Sequence, residues 1–258
     1  NDIEINNAPV SYDGARGRTN PIQEFIDAFE MTNGKAITDP TSGYNPNNPY
    51  NARDPRLALT VNYNTRVYKG RAVETFVGGN DGLNRNTNAT RTGYYMRKFL
   101  SEAVTWNQAS NTNARRPWVL FRYAEVLLNY AEALNEAQGP VADVYTYVNR
   151  VRARSGVAMP ALPAGLTKDQ MRIRIQNERR IELCFEGHRF FDVRRWKLGE
   201  ALLNTPVTGM RITKDANNVL QYERFQVENR VFLARNYLYP FSQNDINRQP
   251  ALIQNTGY

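Results

Sequence analysis

The chain is poor in the residues that most often organise metal, redox and disulfide chemistry. Its 258 residues include one cysteine, Cys184, and one histidine, His188. A single cysteine excludes a disulfide framework within the chain and a four-cysteine zinc site, and a single histidine excludes multi-histidine metal centres. No stretch approaches the ~18 consecutive apolar residues of a membrane-spanning helix. Phosphate loops, nucleophile elbows and Gly-x-Gly-x-x-Gly fingerprints are absent. The first twenty residues lack the basic stretch and apolar run of a signal peptide, and the first residue is Asn, not Met. The expectation is a part of a longer protein, with localisation not legible from a targeting segment.

What is present is globular. Hydrophobic residues make up 41% and charged residues 22%, with 11 Phe, 15 Tyr and 3 Trp, which excludes a mostly disordered or fibrous chain. The length suits one large domain or two small ones. The net charge of +8 is uneven: residues 1–113 hold 12 basic against 11 acidic side chains, whereas residues 114–258 hold 21 against 14, and 18 of those 21 are Arg. A planar guanidinium fork suits bridging of carboxylates and helix-end carbonyls. Solvated and bridging arginines are therefore preferred here over an Arg-rich nucleic-acid interface.

Residues 1–113 read as a loop-rich region with one short helix. Pro21 starts that helix, Ile22, Phe25, Ile26 and Phe29 stripe it, and Asn33-Gly34 ends it. Residues 38–55 form a long turn-rich loop, residues 57–63 read as a strand, and residues 78–93 form a second loop. Asn is abundant, with 18 of 30 before residue 114. Unstructured loops seldom carry as many aromatics as Tyr44, Tyr50, Tyr63, Tyr68 and Phe76 supply here, so packed, ordered loops are expected.

From Pro117 the period becomes helical. Leu120, Phe121, Ala124, Leu127, Leu128, Ala131 and Leu134 step by three and four, and Val144, Tyr147, Val148 and Val151 repeat the pattern after Gly139-Pro140. Two striped helices with a short joint resemble a tetratricopeptide unit. Thr167 and Gln170 offer a capping box for a third helix running to Gly187, and residues 189–198 read as a fourth. Residues 207–213 and 219–227 suggest a β-hairpin, and a short helical turn begins at Pro240.

The segment from Asn177 to Trp196 is the most distinctive. Glu178, Glu182 and Glu186 are spaced by four, with Arg174, Arg179 and Arg189 nearby. Paired carboxylates about 5–9 Å apart could cleave a glycoside, but carboxylates on one helix face cannot flank a bond. Glu182, Glu186 and His188 could bind a metal, though they make a poor ligand set. A buried ion-pair network is the preferred reading, with no catalytic residue, no metal and no cofactor.

Several segments carry a family resemblance: Asn51-Ala52-Arg53-Asp54-Pro55-Arg56-Leu57, residues 122–133 (RYAEVLLNYAEA), residues 148–156 (VNRVRARSG), residues 178–196, and the ending Gln254-Asn255-Thr256-Gly257-Tyr258. Together they resemble the SusD/RagB family of outer-membrane nutrient-binding lipoproteins of Bacteroidota. Thr256 stands where the family's close usually has Pro. The resemblance implies a mainly α fold of tetratricopeptide-like hairpins forming an α-α superhelix, with long ordered loops and a small β-hairpin. It implies one continuous domain, loop-rich and ligand-facing over 1–113 and helical over 114–258. It also implies that the amino-terminal half, with its signal peptide and lipidated cysteine, is missing, so that the membrane is reached only through that anchor. Members bind glycans or other nutrients on the cell surface without chemistry and deliver them to a SusC-like TonB-dependent transporter. Docking on that transporter without a ligand is the alternative.

A glycan site needs aromatic faces for sugar rings and Asn, Gln or Arg for hydroxyls. The candidates chosen on that ground are Tyr44, Asn45, Asn47, Tyr50, Tyr68 and Arg71, with Trp106 as an outlying platform. No family motif identifies them.

Overall fold

The computed structural model describes residues 2–107 and 109–258. Its first stretch contains α1 (Asp2–Asn7), α2 (Gln23–Ile26), α3 (Pro55–Thr60), β1 (Val61–Asn62), β2 (Val67–Tyr68), β3 (Arg71–Ala72) and β4 (Tyr95–Met96). There follow α4 (Tyr123–Gln138), α5 (Ala142–Arg152), α6 (Lys168–Glu182), α7 (His188–Arg195), α8 (Gly199–Leu203), β5 (Val207–Lys214), β6 (Leu220–Glu228), a 3₁₀ turn at Ala234–Tyr237, and α9 (Gln243–Arg248). The strands pair antiparallel as β1–β4, β2–β3 and β5–β6. This is the mainly helical architecture with a small hairpin that the sequence led us to expect.

The helical stripes become the first core. Leu127, Leu128 and Ala131 of α4 meet Val144, Val148 and Val151 of α5 and Met171 and Ile175 of α6. Both halves of the capping box between Thr167 and Gln170 form, satisfying two otherwise orphaned N–H groups at the start of α6. Six residues beyond Ile175, nearly two turns further along, Ile181 of the same helix enters a second core with Ile26, Phe29, Leu57, Tyr94 and Ile212. Helix α6 is therefore the shaft shared by the helical layer and the loop layer.

Four boundaries differ from the sequence reading. Residues 57–60 are helical, because Asp54 accepts from Arg56 N at 2.9 Å and Pro55 occupies the first turn; only Val61–Asn62 is extended. Helix α4 starts at Tyr123, not near Pro117. Arg122 stands outside it in an extended conformation, its guanidinium drawn to Glu182 and Glu186. Helix α6 ends at Glu182, where the chain turns through left-handed Phe185 (φ 61°) and Gly187 (φ 85°). Glu186 thus leaves the helix face shared by Glu178 and Glu182. Finally, the described residues of 1–113 contain three short helices where one was expected.

The long loops are packed. Arg53 is 5% exposed and binds three carbonyls, donating to Ile26 O at 2.6 Å, Phe29 O at 2.8 Å and Pro49 O at 2.7 Å. That cage ties loop 38–55 to α2. Thr90 Oγ1 accepts from the N–H groups of Thr92, Gly93 and Tyr94 at 3.1–3.2 Å and closes the second loop. Strand β5 lies directly on this turn, with Met210 N donating to Thr92 O at 2.8 Å. A Cβ on Gly93 (φ +86°) would meet Met210 O at 2.3 Å, so glycine permits the contact.

Candidate functional site

The acidic segment is braced on every side. Arg56, 3% exposed, joins Asp54 at 2.7 Å, Glu178 at 2.5 Å and Glu182 at 3.1 Å. Arg152 joins Glu178 at 3.0 Å and Glu30 at 2.8 Å. Arg122 reaches Glu182 at 2.6 Å and Glu186 at 2.7 Å, Lys98 reaches Glu186 at 2.5 Å, and Arg154 also pairs with Glu182. Burial pushes the Glu182 and Glu186 carboxyls up, but the hydrogen bonds and charges of these cations outweigh it and hold both below the ordinary value. His188 Nε2 lies 3.7 Å from Glu125, while Glu182 and Glu186 are held by the cations above. No group of three or more metal-binding side chains occurs among the described residues. A carboxylate already claimed by two or three cations is neither a general acid nor a ligand for a further ion.

A separate open cleft of about 310 Å³ lies between loop 38–55, the start of the β2–β3 hairpin and β6. Tyr50 and Tyr63 stack in it, with ring centroids 4.3 Å apart and planes at 25°. Tyr222 of β6 meets Tyr50 edge-on at 6.0 Å. Beneath them Tyr50 donates to Tyr94 Oη at 3.2 Å, Tyr94 donates to Gln23 Oε1 at 2.6 Å, and Gln23 donates to Asp27 at 2.7 Å. This relay locks the Tyr50 ring, and burial drives both phenols well above their ordinary pKa, so they stay neutral donors. Asn48, Asn51, Thr65 and Arg66 line the rim. Arg66 is anchored through Nε, which donates to Ala58 O at 3.1 Å. Rigid aromatic faces with adjacent amides and a guanidinium can hold a sugar ring and its hydroxyls.

Of the seven candidates read from the sequence, Tyr50 lines this cleft. Tyr44, Asn45 and Asn47 lie on the same loop but not in it: Tyr44 packs near Arg53, 5.5 Å from its ring, and Asn45 Oδ1 accepts from Asn47 N at 2.9 Å in a turn. Tyr68, Arg71 and Trp106 belong to a separate packing cluster. Tyr68 is fully buried and edge-on to Tyr12 at 5.1 Å, apart from the cleft. Arg71 lies over the Tyr12 ring at 3.7 Å and donates to Ser11 O at 2.9 Å, a clamp within the fold. The Trp106 ring is capped by Lys69 Nζ at 4.1 Å. Asn48, Asn51, Thr65, Arg66 and Tyr222 also line this cleft but were not among the candidates, and Tyr63 entered only as a loop aromatic. Loop composition pointed to the first group, but no sequence spacing brings Tyr222 beside Tyr50.

Comparison with known proteins bears on this fold. The family model described as the SusD family matches residues 2–258. SusD-like protein P2 of Formosa agariphila is 31% identical over 215 residues, covering 81% of this chain and 38% of the relative. Among solved structures, a SusD-like protein from Bacteroides fragilis superposes with a TM-score of 0.81 at 29% identity, over 99% of this chain and 51% of the other. A second B. fragilis protein, described as a SusD-like carbohydrate-binding protein, gives 0.79 at 28% identity, over 96% and 50%. The chain thus spans about half the length of these solved relatives.

Proposed function

This chain belongs to the SusD family, and from that premise we propose that it captures an oligosaccharide at the outer face of the outer membrane, without chemistry, and delivers it to a SusC-like TonB-dependent transporter. The observation that carries the ligand class is the half-buried, stacked Tyr50–Tyr63 pair with Tyr222 at its edge, lining a cleft with the side chains of Asn48 and Asn51. The carbohydrate-binding description of the B. fragilis relative supports the same class. A non-catalytic role is supported by the ion-paired state of the segment's glutamates; no described helix is long and apolar enough to cross a membrane.

The test is calorimetric titration of the protein in its full natural length against a panel of neutral oligosaccharides. A micromolar to millimolar ligand is expected. Tyr63→Ala should weaken it by about tenfold, the worth of roughly 1–2 kcal/mol of ring burial. Unchanged affinity in both Tyr50→Ala and Tyr63→Ala, or steady hydrolysis of any bound glycan, would overturn the reading. Delivery is tested by co-purification with the membrane transporter; failure to associate removes that half alone.

A further inference from the structure

Arg56, Arg152 and Arg179 are buried against carboxylates, and Arg53 against three carbonyls, but three other arginines have no ion-pair partner among the described residues. Arg180 of α6, Arg189 of α7 and Arg230, just after β6, converge on a second cleft of about 380 Å³. Ile22, Phe25, Phe185 and Leu203 provide much of its wall. Among the described residues Arg180 and Arg189 make no side-chain hydrogen bond or ion pair, and Arg230 makes one weak contact, Nη2 to Leu202 O at 3.4 Å. The Nε of Arg230 is buried without a partner. Each guanidinium offers five N–H donors, so nearly all of this capacity is unspent.

The acids closest to them are engaged elsewhere. Glu24 accepts from Thr208 N at 3.2 Å and from the Thr208 hydroxyl. Asp192 is held by Arg179 at 3.1 Å and Arg195 at 2.7 Å. Burial pulls Arg180 down to about 10, with the repulsion of Arg189 and Arg230 adding to it. Burial pulls Arg189 down as well. A like-charge trio in partly desolvated surroundings is unfavourable, and an anion placed between its members relieves both costs.

We infer that Arg180, Arg189 and Arg230 form a receptor site for a small anionic ligand, a carboxylate or sulfate carried on a ring with an apolar face. The guanidinium forks match the planar or tetrahedral oxyanion, and the Ile22–Phe25–Phe185 wall takes the ring. The volume suits one ring, with room for a substituent. The site shares no lining residue with the tyrosine cleft, so it stands whether or not that cleft binds a glycan.

The experiment titrates the full-length protein with glucuronate, galactose 6-sulfate, benzoate and neutral galactose. At least one anion should bind at about millimolar affinity or tighter, and galactose should not compete for the site. Raising the salt to about 0.5 M should weaken binding severalfold. Arg180→Met and Arg230→Gln should each weaken it about 10- to 100-fold, the loss of charge-assisted hydrogen bonds. Arg180→Met should also leave the melting temperature unchanged or raise it, because it removes an unpaired charge; a structural arginine would lower it. Tyr63→Ala should not alter anion binding. The inference is overturned if no anion binds, if both arginine variants bind as wild type does, or if an acidic side chain of the longer protein occupies the three forks.

Discussion

Replacing Glu182 with Gln separates bracing from recognition. The Glu182 side chain is fully buried and accepts from Arg56 at 3.1 Å, from Arg122 at 2.6 Å and from Arg154. Gln keeps the volume but presents an NH₂ where a guanidinium also presents N–H, and leaves three cations short of one charge. Breaking a buried ion pair from one side costs about 3–5 kcal/mol. Arg122 and Arg154 are partly exposed and can rehydrate, which places the expected loss at about 3 kcal/mol, near the lower end. For 258 residues, an unfolding entropy of ~2.1 cal/mol/K per residue converts each kcal/mol into about 2 °C. Differential scanning calorimetry should therefore show Glu182→Gln melting about 6 °C lower, with oligosaccharide affinity per folded molecule unchanged. Glu186→Gln, at the wetter end of the network, should lose about half as much. A melting temperature within 1 °C of wild type, together with tenfold weaker ligand binding, would refute the bracing argument and move recognition onto this segment.

Other outcomes follow from particular contacts. The Glu182 and Glu186 carboxyls are held below the ordinary 4.5, so their stabilisation is complete above that pH and is lost as pH falls through the depressed values; melting temperature should hold from neutrality down to about pH 5 and drop below 4.5, and less so in the double Gln variant. Gly93→Ala combines a left-handed φ with a backbone clash at 2.3 Å, and should cost at least about 2 kcal/mol in a urea melt and weaken glycan binding by shifting β5–β6, which carries Tyr222. Tyr68→Phe removes a buried hydroxyl that has no hydrogen-bond partner. It should be neutral or stabilise by about 1 kcal/mol and leave ligand affinity intact; a loss of affinity would show that Tyr68 does reach the ligand.

Local signals carried much of the fold. The three- and four-residue stripes of α4, α5 and α6, the Thr167–Gln170 box and the β5–β6 hairpin were legible because each depends on neighbours within a few turns of chain. The acid–arginine bracing was legible in kind, since buried charges need partners, but its pairings were not. Arg56 meets Glu178 and Arg122 meets Glu182 across more than a hundred and about sixty positions respectively. Those long-range pairs are also why α4 starts late, a boundary that helical period alone placed too early.

The site divides along the same line. Composition alone marked the Tyr- and Asn-rich loops as ordered and suited to recognition, and it marked Tyr50. Only the tertiary structure set Tyr63 and Tyr222 beside Tyr50, buried Tyr68, spent Arg71 on Tyr12, and left Arg180, Arg189 and Arg230 together with the nearby acids engaged elsewhere. Residue type determines what a side chain can do; whether its face or charge remains unspent depends on neighbours from distant parts of the chain, which only packing selects.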